Sequence, residues 1–146
     1  MSASTVLRTH RTESRALNIS LWAAQIFIAV SFCLGGLMKL AMPIHQLADI
    51  WPWAGELSAV FVRLLGVIDF AGGAGVLLPA LTRVKPGLTV LAALGCVLLQ
   101  LCAMVFHGSR GELAALPVNV VFIAACGFIL WGRWKRMPIH SRTGGR

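Results

Sequence analysis

The chain has 146 residues, of which 58% are hydrophobic and only 12% charged, and its formal net charge is +8. Soluble domains carry about 25% charged residues, so this composition belongs to the membrane class. A soluble bundle of very apolar helices is the alternative, and the polar faces that such helices need are missing.

The first 17 residues form a basic, Ser/Thr-rich arm holding Arg8, Arg11 and Arg15. The apolar run behind it, 18–41, exceeds the roughly 7 to 15 residues of a signal-peptide core. It carries Lys39 near its end, so it reads as an uncleaved first span. An organelle transit arm is the weaker alternative, since the arm contains Glu13. Further apolar runs follow at 61–78, 88–106 and 117–134. Each is near the ~20 residues that cross ~30 Å of hydrocarbon as a helix. The expected fold is all-α: an integral membrane four-helix bundle over 18–136 with a basic tail at 137–146. These spans leave no room for a second, soluble domain.

The connections assign the sides. The first, 42–60, holds Asp49 and Glu56 but no Lys or Arg; the second, 79–87, holds Arg83 and Lys85. The third, 107–116, holds Arg110 and Glu112, while Arg133, Lys135, Arg136, Arg142 and Arg146 crowd the C-terminal end. The positive-inside rule places both termini and the middle connection in the cytoplasm. This sidedness explains most of the positive charge, so no nucleic-acid partner is inferred, although a basic tail attracts anionic lipid heads. Trp22, Trp131 and Trp134 fit the inner interface and Trp51 and Trp53 the outer one. Anchoring is the plainer role for all of them, ligand contact the alternative. Pro43 and Pro79 are expected to stop the first two spans, and Pro86 and Pro117 lie at starts, where proline is tolerated. The long first connection predicts a short interfacial helix at 44–50, over the bundle mouth.

Asp69 lies at the centre of the second run. A charge at that depth costs roughly 2.5 kcal/mol or more, so such a residue faces the interior and finds a partner. Helical phase gives each span one polar stripe. Span one aligns Gln25, Ala29, Phe32, Gly36 and Lys39; span two aligns Gly66, Asp69, Gly72 and Gly73. Span three aligns Cys96, Gln100, Met104 and His107; span four aligns Asn119, Phe122 and Cys126. All four faces should turn inward. With that topology Lys39, Arg63, His107 and Asn119 lie towards the outer surface, and Asp69 is about 9 Å below Arg63 on the helical rise. Only Gln25 belongs to the inner half. The candidate site is therefore Asp69 and His107 as proton-handling groups. Lys39, Arg63, Gln100, Asn119, Gln25, Trp51, Trp53, Arg110 and Glu112 are the candidate ligand contacts. Asp69 is equally readable as a staple paired with Lys39 or Arg63. His107, Gln100 and Asn119 also suit plain interface and helix-linking roles.

Other chemistries lack their residues. Cys33, Cys96, Cys102 and Cys126 lie within spans and form no C-x-x-C pair, so a thiol relay is poorly supported and small buried hydrophobes are the simpler reading. No His pair at ligand spacing indicates zinc or bis-histidine haem, and a single-His haem at His107 is disfavoured. No Gly-rich phosphate loop or Ser-nucleophile motif is present.

The stretch GGLMKL (35–40), RLLGVIDFAGGAGVLLPALTR (63–83), FHGSRGE (106–112), and Asn119 before WGRW (131–134) together resemble the DoxX-like family of small four-span bacterial membrane proteins. The resemblance covers roughly 18–136. It departs at Asp69, where the family pattern leads us to expect Glu; the shorter acid keeps the charge and loses reach. The resemblance implies the four-helix membrane bundle. It also implies links to membrane-associated oxidation, including quinone-coupled systems, or to bundles that bind sterol-like molecules, isomerise them or assist assembly.

The resulting expectation is a membrane protein that binds a small lipophilic molecule, quinone- or isoprenoid-like, in an outer-half cavity within an oxidoreductase system. A non-enzymatic accessory or assembly subunit with a membrane partner protein is the alternative. A proton-coupled transporter is weaker, since a second half is missing unless the chain forms a homo-oligomer.

Overall fold

The computed structural model describes residues 3–142, with side chains from Ser14 onward. Arg8, Arg11 and Arg146, used above to assign the sides, lie outside the described side chains. The described chain is helical, and four of its helices are long and apolar enough to cross a membrane. They are α1 (Ala3–Ala41), α4 (Ala59–Thr82), α5 (Gly87–Ser109) and α6 (Leu116–Trp131). Two short helices, α2 (Ile44–Ile50) and α3 (Trp53–Glu56), fill the first connection. A 3-10 turn, Leu113–Ala115, leads into α6, and a π-helical turn, Gly132–Arg136, follows it.

The arm is not separate from the first span. No Pro or Gly interrupts the chain before Gly35, and α1 runs unbroken for 39 residues. At about 1.5 Å per residue that is about 58 Å, well beyond a hydrocarbon core. Pro43 ends α1 as expected and sits just before α2, whose bounds match the short helix predicted there. Pro79 does not end the second span, which corrects that expectation: it lies inside α4. Only one further turn follows it, and the Thr82 hydroxyl donates to the Leu78 carbonyl at 2.8 Å. A proline this near a helix end removes one backbone bond, the one its N–H would have given to the Gly75 carbonyl, and only a short stretch of helix beyond it remains to be held. Arg83, in the left-handed region at φ 57°, then closes α4.

The four long helices pack in a closed ring, α1 on α4, α4 on α5, α5 on α6 and α6 on α1. The α1–α4 seam is the most extensive. Two glycines explain how close it is. A Cβ on Gly36 would stand 2.7 Å from the Gly66 carbonyl oxygen and from the Phe70 nitrogen. A Cβ on Gly66 would stand 2.9 Å from the Lys39 Cβ. Small residues at such crossings let backbones touch, which is how membrane helices gain packing energy.

Ile28, Phe32, Val76, Ala93, Cys96, Cys126 and Ile129 form the main core. A smaller cluster of Leu47, Ala54 and Val62 fixes α2 and α3 to α4, with Trp51 and Trp53 packed against it. The predicted stripes all face inward: Gln25, Gly36, Gly66, Gly73, Cys96, Gln100, Asn119 and Cys126 are buried, and Lys39, Asp69, Met104, His107 and Phe122 are half-buried. The outward faces carry exposed Leu, Val, Ile and Phe along every span, including Val60, Leu91 and Val105. That much apolar surface needs lipid around it. The chain is a multi-pass membrane protein.

Candidate functional site

The bundle has two chemically different ends. One carries α2, α3 and the α5–α6 connection; the other carries the described tail and the α4–α5 connection. At the first end the helices enclose a cavity of about 600 Å³. Its walls are mainly apolar and aromatic, with Phe32, Phe61, Phe106 and Phe122 prominent. The polar members are Ser31, Lys39, Asp69, Gln100, His107 and Asn119, and Trp51 and Trp53 complete the lining.

Lys39 and Asp69 form the central contact. The ammonium nitrogen donates to Asp69 Oδ2 at 2.8 Å, and the two side chains are 12% and 15% exposed. The glycine crossing at Gly36 and Gly66 brings these positions together. Lys39 Nζ also lies 4.6 Å from the Trp51 ring centroid and 6.0 Å from that of Trp53. The two indoles stack at 6.4 Å, and Trp53 meets Phe106 edge to face. An aromatic wall over an ammonium group adds cation–π attraction to the ion pair.

Gln100 and Asn119 behave differently. Gln100 Oε1 and Asn119 Nδ2 are buried and have no hydrogen-bond partner among the described residues. A buried polar atom without a partner costs about 1–3 kcal/mol. One is an acceptor and the other a donor, so together they suit a neutral polar group that both accepts and donates.

The rim is an ionic chain. His107 Nδ1 is 2.6 Å from Glu112 Oε2, Arg110 donates to Glu112 Oε1 at 2.6 Å, and Arg110 also reaches Glu56 at 2.5 Å. Arg110 first, and then His107, holds the Glu112 carboxyl below the usual carboxylate range. Glu112 and Glu56 in turn raise the Arg110 guanidinium. These groups tie α3 to the α5–α6 connection beside the cavity.

Lys39, Asp69, Gln100, His107, Asn119, Trp51 and Trp53 thus share one cavity, with Arg110 and Glu112 on its rim. Two predicted site residues lie elsewhere. Arg63 donates to the carbonyls of Lys39 and Met42, the latter at 2.7 Å. The Lys39 carbonyl lies in the last turn of α1, where Pro43 offers it no N–H, and Met42 directly follows the helix, so Arg63 caps that end. Gln25 is at the opposite end, donating to the Val76 carbonyl and accepting from Arg133. Arg133 is itself buried, so Gln25 is not alone there. Glu56, Ser31 and Phe106 were not anticipated as site residues. Ser31 and Phe106 flank the predicted stripes, but Glu56 meets Arg110 across 54 residues of sequence, and no local signal marks it.

The DoxX-like family pattern matches residues 23–129. The chain belongs to the DoxX-like family. That match spans all four transmembrane helices of this DoxX-like protein and includes the whole cavity lining. Searches of curated proteins and of solved structures returned no match. Among the described residues, no group of three or more His, Cys, Asp or Glu is placed to hold a metal ion.

Proposed function

We propose that this DoxX-like protein binds a small lipophilic molecule with a carbonyl or hydroxyl head, of the quinone or isoprenoid kind, and that it serves an oxidoreductase system of the bacterial cytoplasmic membrane. The observation that carries this reading is the pair of buried amide atoms on Gln100 and Asn119, unpartnered among the described residues, on two side chains that line an otherwise mostly apolar cavity. Ligand sites in helical bundles combine apolar walls with a few convergent polar groups. The volume, about 600 Å³, lies in the common range for small-molecule sites. Asp69 and His107 are the groups in it that exchange protons, and the Lys39 ammonium is placed to polarise an oxygen. The basic end then faces the cytoplasm and the cavity opens outward.

The test is gentle purification of the full chain followed by solvent extraction and mass spectrometry. A lipophilic passenger is expected with the wild type and is expected to be strongly depleted in Gln100→Met. Its absence from the wild type, across several mild detergents, would overturn the reading.

An accessory or assembly role is the second reading, favoured by one observation. His107, Glu112, Arg110 and Glu56 are all engaged with one another, as a brace would require. That role predicts co-purification of a membrane partner protein and no lipophilic passenger.

A further inference from the structure

A second polar centre lies at the other end of the bundle, and the cavity reading does not use it. Arg133 is 4% exposed and sits in the π-helical turn after α6. Its guanidinium donates to Gln25 Oε1 at 2.7 Å and Asn18 Oδ1 at 3.0 Å, and rests 4.9 Å from the Trp22 ring. These partners are neutral. The acids among the described side chains, Asp49, Glu56, Asp69 and Glu112, belong to the opposite half of the bundle. A buried cation without a counter-charge is costly.

Arg133 also lines a cavity of about 200 Å³, together with Pro86, Gly87, Thr89 and Trp134. Two of these residues carry buried polar atoms that have no partner among the described residues: Arg133 Nη2 and Thr89 Oγ1. Thr89 is 1% exposed. It belongs to the first turn of α5, a 23-residue helix whose N-terminus has no side-chain cap. Its Leu88 and Thr89 N–H groups donate to the Lys85 and Pro86 carbonyls, so what this end contributes is the positive potential of a helix start. The two residues that carry these unpartnered atoms, and the start of α5, therefore line one small cavity. The Arg142 backbone N–H donates to the Arg83 carbonyl at 3.2 Å, which ties the tail down beside it.

We propose that this cavity is a binding site for a singly or doubly charged phosphate group. Arg133 Nη2 and Thr89 Oγ1 donate to its oxygens, and the α5 N-terminus supplies the remaining field. A phosphate suits the site better than a planar carboxylate because the donors come from separate elements, α5 and the turn after α6, and a tetrahedral anion presents oxygens in more than one plane. The phosphate belongs either to an anionic lipid head of the adjacent leaflet or to a free phosphate from the aqueous side.

The experiment has one arm for each source. The full chain in maltoside micelles is titrated with inorganic phosphate by calorimetry. The same preparation, incubated with phosphatidylglycerol or with phosphatidylcholine, is examined by native mass spectrometry for retained lipid. Thr89→Val removes one donor while keeping shape, and no existing contact is lost. Arg133→Lys keeps the charge but removes Nη2. Wild-type retention of phosphatidylglycerol over phosphatidylcholine, reduced about tenfold by Thr89→Val, assigns a lipid head. Saturable phosphate binding with the same loss assigns free phosphate. If the wild type binds neither probe, or if Thr89→Val and Arg133→Lys both bind as the wild type does, the proposal is wrong. Melting of each variant close to the wild-type temperature shows that any loss is local.

Discussion

Removing the acid from the Lys39–Asp69 pair should cost the fold measurably, and the size of that cost follows from the geometry. At 2.8 Å and an effective dielectric of about 20, the gross attraction is about 6 kcal/mol. Desolvation of both groups offsets much of it, and removing one member of a fully buried pair costs about 3–5 kcal/mol. Here each side chain keeps 12–15% exposure, and in Asp69→Asn the Lys39 ammonium still lies over Trp51, worth about 1 kcal/mol. The expected loss for Asp69→Asn is therefore about 2–3 kcal/mol. Lys39→Met should cost a similar amount, because it leaves Asp69 uncompensated. The double substitution Lys39→Met with Asp69→Leu should recover most of the loss, since two apolar side chains replace a buried pair at little net cost. The assay is a double-mutant cycle on reversible unfolding in mixed micelles. A coupling energy near zero, with both single variants as stable as the wild type, would refute the reasoning and reduce the contact to a surface-like pair.

Gly36→Ala should be more damaging than its size suggests, by about 1–3 kcal/mol: its Cβ would meet backbone atoms of α4 at 2.7 Å, and a normal melting temperature would contradict the described crossing. Arg63→Met should fray the end of α1 at a cost of about 1–2 kcal/mol, seen as faster amide exchange at 40–42; unchanged exchange would exclude the capping role. The lowered Glu112 proton affinity means that the folded rim binds this proton less tightly than the unfolded chain. Its contribution is therefore full above the ordinary carboxylate range and is lost as pH falls through that range and below. The melting difference between wild type and Glu112→Gln should stay constant from neutral pH down to about 5 and close in stronger acid. A difference that persists in strong acid would argue against the Arg110 and His107 contacts.

The spans and their inward faces were readable because a transmembrane helix must satisfy its own backbone, so periodicity alone reports which side is wet, packed or lipid-facing. Helical phase alone sets Asp69 and Lys39 on stripes that face each other. Arg63 was misplaced for a different reason. Its side chain answers to the unpaired carbonyls of another helix, and those are invisible to a pattern that treats each span separately. Arg133 reads from the sequence as one of the basic residues of the C-terminal end, because a basic residue at a span end ordinarily reaches for water. Only the extra turn of π-helix and the position of Gln25 reveal that it points inward. The Pro79 error has the same origin: a proline breaks a helix in isolation, and the bundle around it decides otherwise. Contacts such as Glu56 with Arg110 depend on where two loops happen to meet, which no local spacing encodes.

The Lys39–Asp69 contact has an electrical consequence for whatever shares that cavity. Two opposite charges 2.8 Å apart sum to zero, so from a few ångströms away the wall presents a dipole and no net charge. A dipole's field falls off faster with distance than a point charge's, and it orients a polar bond without drawing in an ion. In the proposed site such a wall would discriminate by molecular polarity, favouring a neutral occupant with a strong bond dipole over a fatty-acid anion or a cationic amphiphile. Asp69→Asn would turn that same wall into an anion trap, so one substitution reverses the sorting without changing the shape of the chamber.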